Sequence, residues 1–278
     1  MNTNLLKLTR FPTLHYTCKE AVNTLCTNLT FVGAEKKKIM LTSSVAHEGK
    51  SFLTLCMLRT LAQLGRKVIM VDADLRKSQV AAKYGLKVIE GSGQGCSHYL
   101  AGMASLNEVI YETDVPGAYM IPVGHNVSNS LSLLATKRFE EMLNRLAEEF
   151  DYVLVDTPPV GVIVDAAEIA KYCDGAIFVV KEGITTRRQL LECRMQIERA
   201  GCETLGAVLN SVNFDAIASK KYYNRYYYNR YGYRYRRYGR YYGYGSYYNY
   251  ASYYNYANDY NTDEPEKNSP PRKKSRRG

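Results

Sequence analysis

No apolar run in this 278-residue chain approaches the roughly 18 residues that a helix needs to cross a bilayer. The stretch from Met1 to Tyr16 lacks an uninterrupted apolar segment followed by small residues, so no export leader is expected. Paired cysteines are missing too. The seven present, Cys18, Cys26, Cys56, Cys96, Cys173, Cys193 and Cys202, are odd in number and scattered, and none forms a C-x-x-C pair. That argues against a zinc site or disulfide framework and for a reducing cytoplasm, with each thiol a small buried hydrophobe. Aliphatic side chains larger than alanine are absent from Lys221 to Tyr260. Without Leu, Ile or Val that stretch cannot make an ordinary core, and it is expected to be disordered.

What the chain does contain is unevenly placed. Lys220 to the C-terminus holds 14 basic and 4 acidic residues, whereas residues 1–219 hold 23 of each sign. Tyrosine is skewed the same way, with 19 of 26 after Lys220. The expected organisation is a neutral body, 1–219, followed by a basic tyrosine-rich tail, 220–278. The net charge of +10 belongs to the tail, so it is no argument that the body binds nucleic acid.

The body alternates two periodicities. Thr17 to Phe31, Lys50 to Gln63 (with Gly65 as its stop), Leu131 to Glu149 and Thr185 to Ala200 have helical patterns. Lys38 to Thr42, Lys67 to Val71, Ala118 to Val123, Tyr152 to Val155, Ala176 to Val180 and Gly206 to Leu209 are short apolar runs of the buried-strand kind. Strand and helix in alternation imply an α/β fold, a mostly parallel sheet flanked by helices on both faces. Ligands of such sheets sit at the carboxyl ends of strands.

Three motifs fall at those ends. Ser44-Val-Ala-His-Glu-Gly49-Lys50-Ser51 follows a strand and opens a helix, the placement of a phosphate loop. Backbone N–H groups and the helix N-terminus surround the anion, Lys50 reaches the outer phosphates and the Ser51 hydroxyl ligates magnesium. The usual first glycine is Ser44, so this motif alone is weak. Asp72-Ala-Asp74-Leu-Arg76 follows the next strand and presents two carboxylates that are costly to desolvate without a cation or proton. Asp156-Thr-Pro-Pro159 ends another apolar strand, the usual setting for an aspartate that holds phosphate-bound magnesium. Three such motifs in this order point to ATP or GTP with Mg2+, bound by a P-loop NTPase.

With these residues the chain resembles the bacterial tyrosine kinases (BY-kinases) of capsule and exopolysaccharide synthesis, the CpsD/CapB type, from about Glu20 to Asp215. The D-x-D-x-R element is the specific mark. Val45 stands where positioning-type ATPases carry a signature lysine. The resemblance implies that Lys50 stabilises charge on the transferring phosphoryl group, that Ser51 and Asp156 hold magnesium with support from Asp74, and that Asp72 accepts the tyrosine proton. Arg76 is expected to orient the acidic pair. Ser44, His47, Glu48, Gly49, Lys50, Ser51 and Phe52 are expected around the ATP, and Asn210 matches a position near the adenine, with a plain turn residue as the alternative.

The resemblance also implies tail tyrosines as phosphate acceptors, the candidates being Tyr241, Tyr242, Tyr244, Tyr247, Tyr248, Tyr250, Tyr253, Tyr254, Tyr256 and Tyr260. It implies a membrane adaptor that brings a cytoplasmic kinase to the inner face of the plasma membrane, cytoplasmic protein substrates, and ring assembly with further copies. Three departures bear on these expectations. Ala46 and His47 replace proline and glycine, so a side chain at His47 crowds the phosphates if that residue takes positive φ. Asn23 and Cys26 replace two arginines of an assembly motif beginning at Glu20. Gly124 to Ser130 replaces a proline-rich stretch. Two other readings share the same loop: a positioning-type ATPase switch, and a silent scaffold whose Arg/Tyr-rich tail binds RNA or membrane. No specific nucleic acid is expected.

Overall fold

The structure, a computed structural model, describes residues 4–212. The tail and all ten candidate acceptor tyrosines lie outside the described residues. The elements in chain order are β1 (Leu5–Leu8), α1 (Tyr16–Thr30), β2 (Lys38–Thr42), α2 (Lys50–Gln63), β3 (Val68–Asp72), α3 (Val80–Tyr84), β4 (Leu86–Glu90), α4 (Cys96–Leu100) and α5 (Leu106–Val109). They continue with β5 (Tyr111–Glu112), β6 (Ala118–Ile121), α6 (Ser130–Leu134), α7 (Lys137–Glu149), β7 (Tyr152–Asp156), α8 (Asp165–Ala170), β8 (Gly175–Lys181), α9 (Arg187–Arg199) and β9 (Thr204–Asn210).

One sheet collects all the described strands in the order β4-β1-β5-β6-β3-β7-β2-β8-β9. It is parallel except where β1 meets β4 and β5 meets β6. The α/β class is the one the sequence implies. Its central strands are buried on both faces because alternate side chains enter different cores. Ile39 and Leu41, Val68 and Met70, Leu154, Ile177 and Val179 pack with α1 and α2. Met40, Ile69 and Val71, Val153 and Val155, Ala176 and Phe178 pack on the other side with α7, α8 and α9. Each fully buried Val, Leu or Ile contributes about 1.5–3 kcal/mol, so these strands tolerate no polar residue until they reach their carboxyl ends.

Several boundaries depart from the sequence reading. The helix expected over 131–149 is two helices, α6 and α7, parted at Ala135 and Thr136. Thr136 adopts an extended N-cap conformation and its hydroxyl donates to the Leu133 carbonyl at 2.7 Å, competing with helix continuation. The strand expected over 118–123 stops at Ile121 because Pro122 has no N–H for the ladder. The strands β1, β4 and β5 went unread. Apart from Leu86, which is half-buried, β4 is exposed, so it lacks the apolar run that marks the central strands.

Candidate active site

The order β3-β7-β2 brings the three motifs together. Strand β7 lies between the other two, with Met40 opposite Val155 and Leu41 opposite Asp156 on one side, and Asp72 opposite Asp156 on the other. The phosphate loop leaves β2 as Asp72 and Asp156 end their own strands, so the loop and both carboxylates emerge at neighbouring carboxyl ends.

The loop turns through two left-handed residues, His47 at φ 64° and Gly49 at φ 97°. A Cβ on Gly49 would lie 2.1 Å from Asn210 Nδ2, so glycine is required there on two counts. Lys50 and Ser51 then form the first turn of the 14-residue helix α2, whose unpaired N–H groups favour an anion. His47 takes the positive φ that the sequence reading raised for it, and its side chain is exposed.

Glu48 braces the loop from within. Its carboxylate is fully buried. One oxygen accepts from the Ser44 and Val45 N–H groups at 2.9 and 3.0 Å. The other accepts from the Lys181 N–H at 3.0 Å and the Thr185 hydroxyl at 2.7 Å. It therefore ties the start of the loop to the end of β8. Asn210 Nδ2 donates to the Glu48 carbonyl at 2.9 Å. Ser44 is buried, and its hydroxyl has no hydrogen-bond partner of its own among the described residues. Phe52 is half-buried and packs against the core shared by α1 and α2.

The acidic groups form one electrostatic unit. Asp72 and Asp156 are each 1% exposed. Burial pushes the Asp72 carboxyl well above the ordinary carboxylate range, and the neighbouring Asp156 pushes in the same direction. Burial also raises Asp156, to about 6, against the pull of the Lys50 ammonium and the Ser51 and Thr54 hydroxyls. Asp74, half-buried, acts on both. One oxygen each of Asp72 and Asp156 is buried without a hydrogen-bond partner among the described residues. The other Asp72 oxygen accepts from the Ser78 hydroxyl.

Those orphaned oxygens, beside a lysine and a helix-opening serine, suit a phosphate-bound magnesium ion. The described residues contain no cage of three or more acidic, histidine or cysteine ligands. Magnesium bound with phosphates needs none, because it keeps several waters and takes one or two carboxylates. Asp72 also lines a cavity of about 80 Å³ whose other walls include Ala81, Leu86, Val88, Pro122 and Val123.

The Arg76 side chain pairs with Asp165. Its Nε and Nη2 donate to the two carboxylate oxygens of Asp165 at 2.8 and 3.0 Å, and Nη1 donates to the Ser128 carbonyl at 3.3 Å. Asp165 went unnoticed in the sequence, where it is one aspartate after the apolar run Val160 to Val164. Its only cue was the acid at a helix start.

A family model described as AAA domain matches residues 36–180. The tyrosine-protein kinase CpsD of Streptococcus agalactiae is 36% identical over 208 residues, 75% of this chain and 89% of that protein. The chain belongs to the bacterial tyrosine-kinase family. Among solved structures, the kinase domain of the Escherichia coli tyrosine kinase ETK is similar, with a TM-score of 0.66 and 32% identity over 71% of this chain and 77% of that one. The VpsO kinase domain gives a TM-score of 0.65 and 30% identity over 72% of this chain and 96% of that one.

In this member of the bacterial tyrosine-kinase family, the segment that begins at the exposed Glu20 carries no arginine at Asn23 or Cys26. Cys26 is fully buried in the core between α1 and α2. Asn23 Nδ2 donates to Glu20 Oε1 at 3.0 Å, so two of the three motif positions are satisfied within the chain.

Proposed function

We propose that this chain is an ATP- and magnesium-dependent kinase that transfers phosphate to tyrosines, first to those following Lys220, and so regulates capsular or exopolysaccharide synthesis. The observation that carries the reading is the adjacency of β3, β7 and β2, which sets Asp72, Asp156 and the Lys50 loop side by side. Lys50 neutralises charge on the transferring group, and the N–H groups opening α2 hold the phosphates. Ser51 and Asp156 are suited to hold magnesium, with Asp74 supporting them. Magnesium, when bound, offsets the charge of the phosphates.

The acceptor is a phenol. Its oxygen forms a bond to the γ-phosphorus as the bond from that phosphorus to the bridging oxygen of ADP breaks, and its proton passes to Asp72. A carboxylate suffices for a proton that leaves late in a loose transition state. The apolar walls beside Asp72 suit an aromatic ring. Each phosphate adds about −1.5 to −2 charges, so roughly six neutralise the +10 of the tail and change what it docks on. A membrane adaptor, cytoplasmic protein substrates and a place at the inner face of the membrane complete the reading, with the family resemblance as their support.

The test is phosphotyrosine mapping by mass spectrometry on the full chain made in its own host, where its partners are present. Modified tail peptides that vanish in Lys50→Met and in Asp72→Asn support the kinase. ATP hydrolysis without phosphotyrosine supports a positioning-type switch instead, and neither activity supports a scaffold.

A further inference from the structure

We propose that Asp165 holds the Arg76 guanidinium away from Asp72, Asp74 and Asp156, and that this sequestration leaves the acidic cluster free to take a divalent cation and the phenol proton. The inference rests on the kinase reading above. Asp165 lies outside the three motifs, at the first position of α8, and is 1% exposed. Both its oxygens receive Arg76, at 2.8 and 3.0 Å, and one also accepts from the Ser130 hydroxyl. The planar guanidinium is thus held by a two-bond fork whose direction is fixed. The Ser128 carbonyl takes a third N–H at 3.3 Å, and the Val127 N–H donates to the Leu75 carbonyl at 2.8 Å, so the chain on either side is pinned as well.

The turn that bears Arg76 also bears the acids. Asp74 Oδ1 accepts from the Lys77 N–H at 3.1 Å, and Ser78 donates to Asp72. Arg76 lies two residues beyond Asp74, and Asp74 acts on it electrostatically, though more weakly than Asp165 does. Burial alone would raise the Asp165 carboxyl, but the hydrogen bonds from Arg76 and Ser130 outweigh it and keep the group ionised. Were that charge lost, the other anion that acts on Arg76 is Asp74, in its own turn. A guanidinium paired with Asp74 competes with a cation for the same oxygens. Only the carboxylate is buried, since the Arg76 side chain is 34% exposed, so what fixes the direction of the guanidinium is the fork on Asp165 and not enclosure.

The test compares full-length wild type, Asp165→Asn and Asp165→Asn/Arg76→Gln. Mn2+ binding in the presence of ADP is read from the electron spin resonance of free Mn2+. Tyrosine phosphorylation is titrated with magnesium alongside membranes from a host lacking this chain. Asp165→Asn is expected to bind Mn2+ about 10-fold more weakly and to recover phosphorylation partly at high magnesium. Removing the released guanidinium in the double variant returns Mn2+ affinity to within about threefold of wild type, a recovery that loss of packing could not give. Unchanged affinity in Asp165→Asn, or a double variant as weak as the single one, overturns the proposal.

Should Asp165→Asn fail to fold, Arg76→Lys takes its place, since its ammonium keeps the charge without the fork. Mn2+ binding weakened about threefold or more then supports sequestration, and unchanged binding overturns it. Wild-type chain that binds Mn2+ with ADP but yields no phosphotyrosine rejects the kinase reading, while the binding arm still decides the role of Asp165. Wild-type chain that binds no Mn2+ with ADP overturns both.

Discussion

Asn210 Nδ2 donates to the Glu48 carbonyl at 2.9 Å, so the last residue of β9 is fastened to the loop that carries Lys50. The same amide uses its oxygen to accept the Ser211 N–H at 2.8 Å, at the point where the chain leaves the sheet. Gly49 leaves room for this contact and a methyl group there would not. Gly49→Ala is therefore expected to break the contact and to strain a φ of 97° by about 1–2 kcal/mol. Nucleotide affinity, read by titration with a fluorescent ATP analogue, falls about 10-fold or more. Asn210→Leu removes both side-chain hydrogen bonds; loss of the one to the loop, worth about 1 kcal/mol, costs roughly fivefold in nucleotide affinity.

His47→Gly should have the opposite sign. The left-handed conformation costs a side chain about 1–2 kcal/mol, and glycine returns part of that as greater freedom of the unfolded chain. The net expectation is a Tm about 1–3 °C higher, with nucleotide affinity equal to or better than that of the wild type. A lower Tm would show that the imidazole makes a compensating contact.

Glu48→Gln tests the tie between the loop and β8. The four groups around this carboxylate are the Ser44, Val45 and Lys181 N–H groups and the Thr185 hydroxyl, and all four donate. An amide can accept at only one end, so its NH2 faces donors whichever way it turns. Leaving buried N–H groups unsatisfied costs about 1–3 kcal/mol. Urea denaturation should show that loss, with tighter-binding nucleotide recovering part of it.

Asp72→Asn is expected to raise stability while abolishing phosphotransfer. The carboxyls of Asp72 and Asp156 are both raised in the folded protein. Folding thus favours their protonated forms, and the stability they contribute is complete below the unfolded value near 3.8 and lost as pH rises. For Asp156 the loss runs from there through about 6, and for Asp72 it continues as that group ionises. Nucleotide-free wild type should therefore melt at progressively lower temperature as pH climbs from 4 towards 8. Asp72→Asn escapes its share, so it melts at a higher temperature than wild type at pH 8, and the two proteins converge near pH 4. Equal melting curves at pH 8 would show that the carboxylate is not strained.

The central strands and α2 were legible because burial on both faces leaves uninterrupted apolar runs, and those runs stop where function begins. Lys38–Thr42 and Lys50–Gln63 could be bounded to the residue. The pairing of Asp72 with Asp156 could not, since it depends on β7 entering between β2 and β3, which no local pattern encodes. Long-range side-chain partners were hidden for the same reason: Asp165 stands 89 residues from Arg76, and Asn210 stands 162 from Glu48. The burial of Cys26 was open to inference, because Val22, Cys26 and Leu29 keep a helical spacing on the face of α1 that enters the core.

The late arrival of β7 has a consequence for synthesis on the ribosome. Strands β2 and β3 are made early and never pair with each other; the strand that joins them begins only at Tyr152. A nascent chain halted before that point has its phosphate loop and Asp72 on two strands joined through α2 but lacking the strand that pairs with both, and formation of those long-range parallel contacts must wait. The loop after β2 and the acidic end of β3 are thus expected to come into register only once β7 has been made and the middle of the sheet has closed.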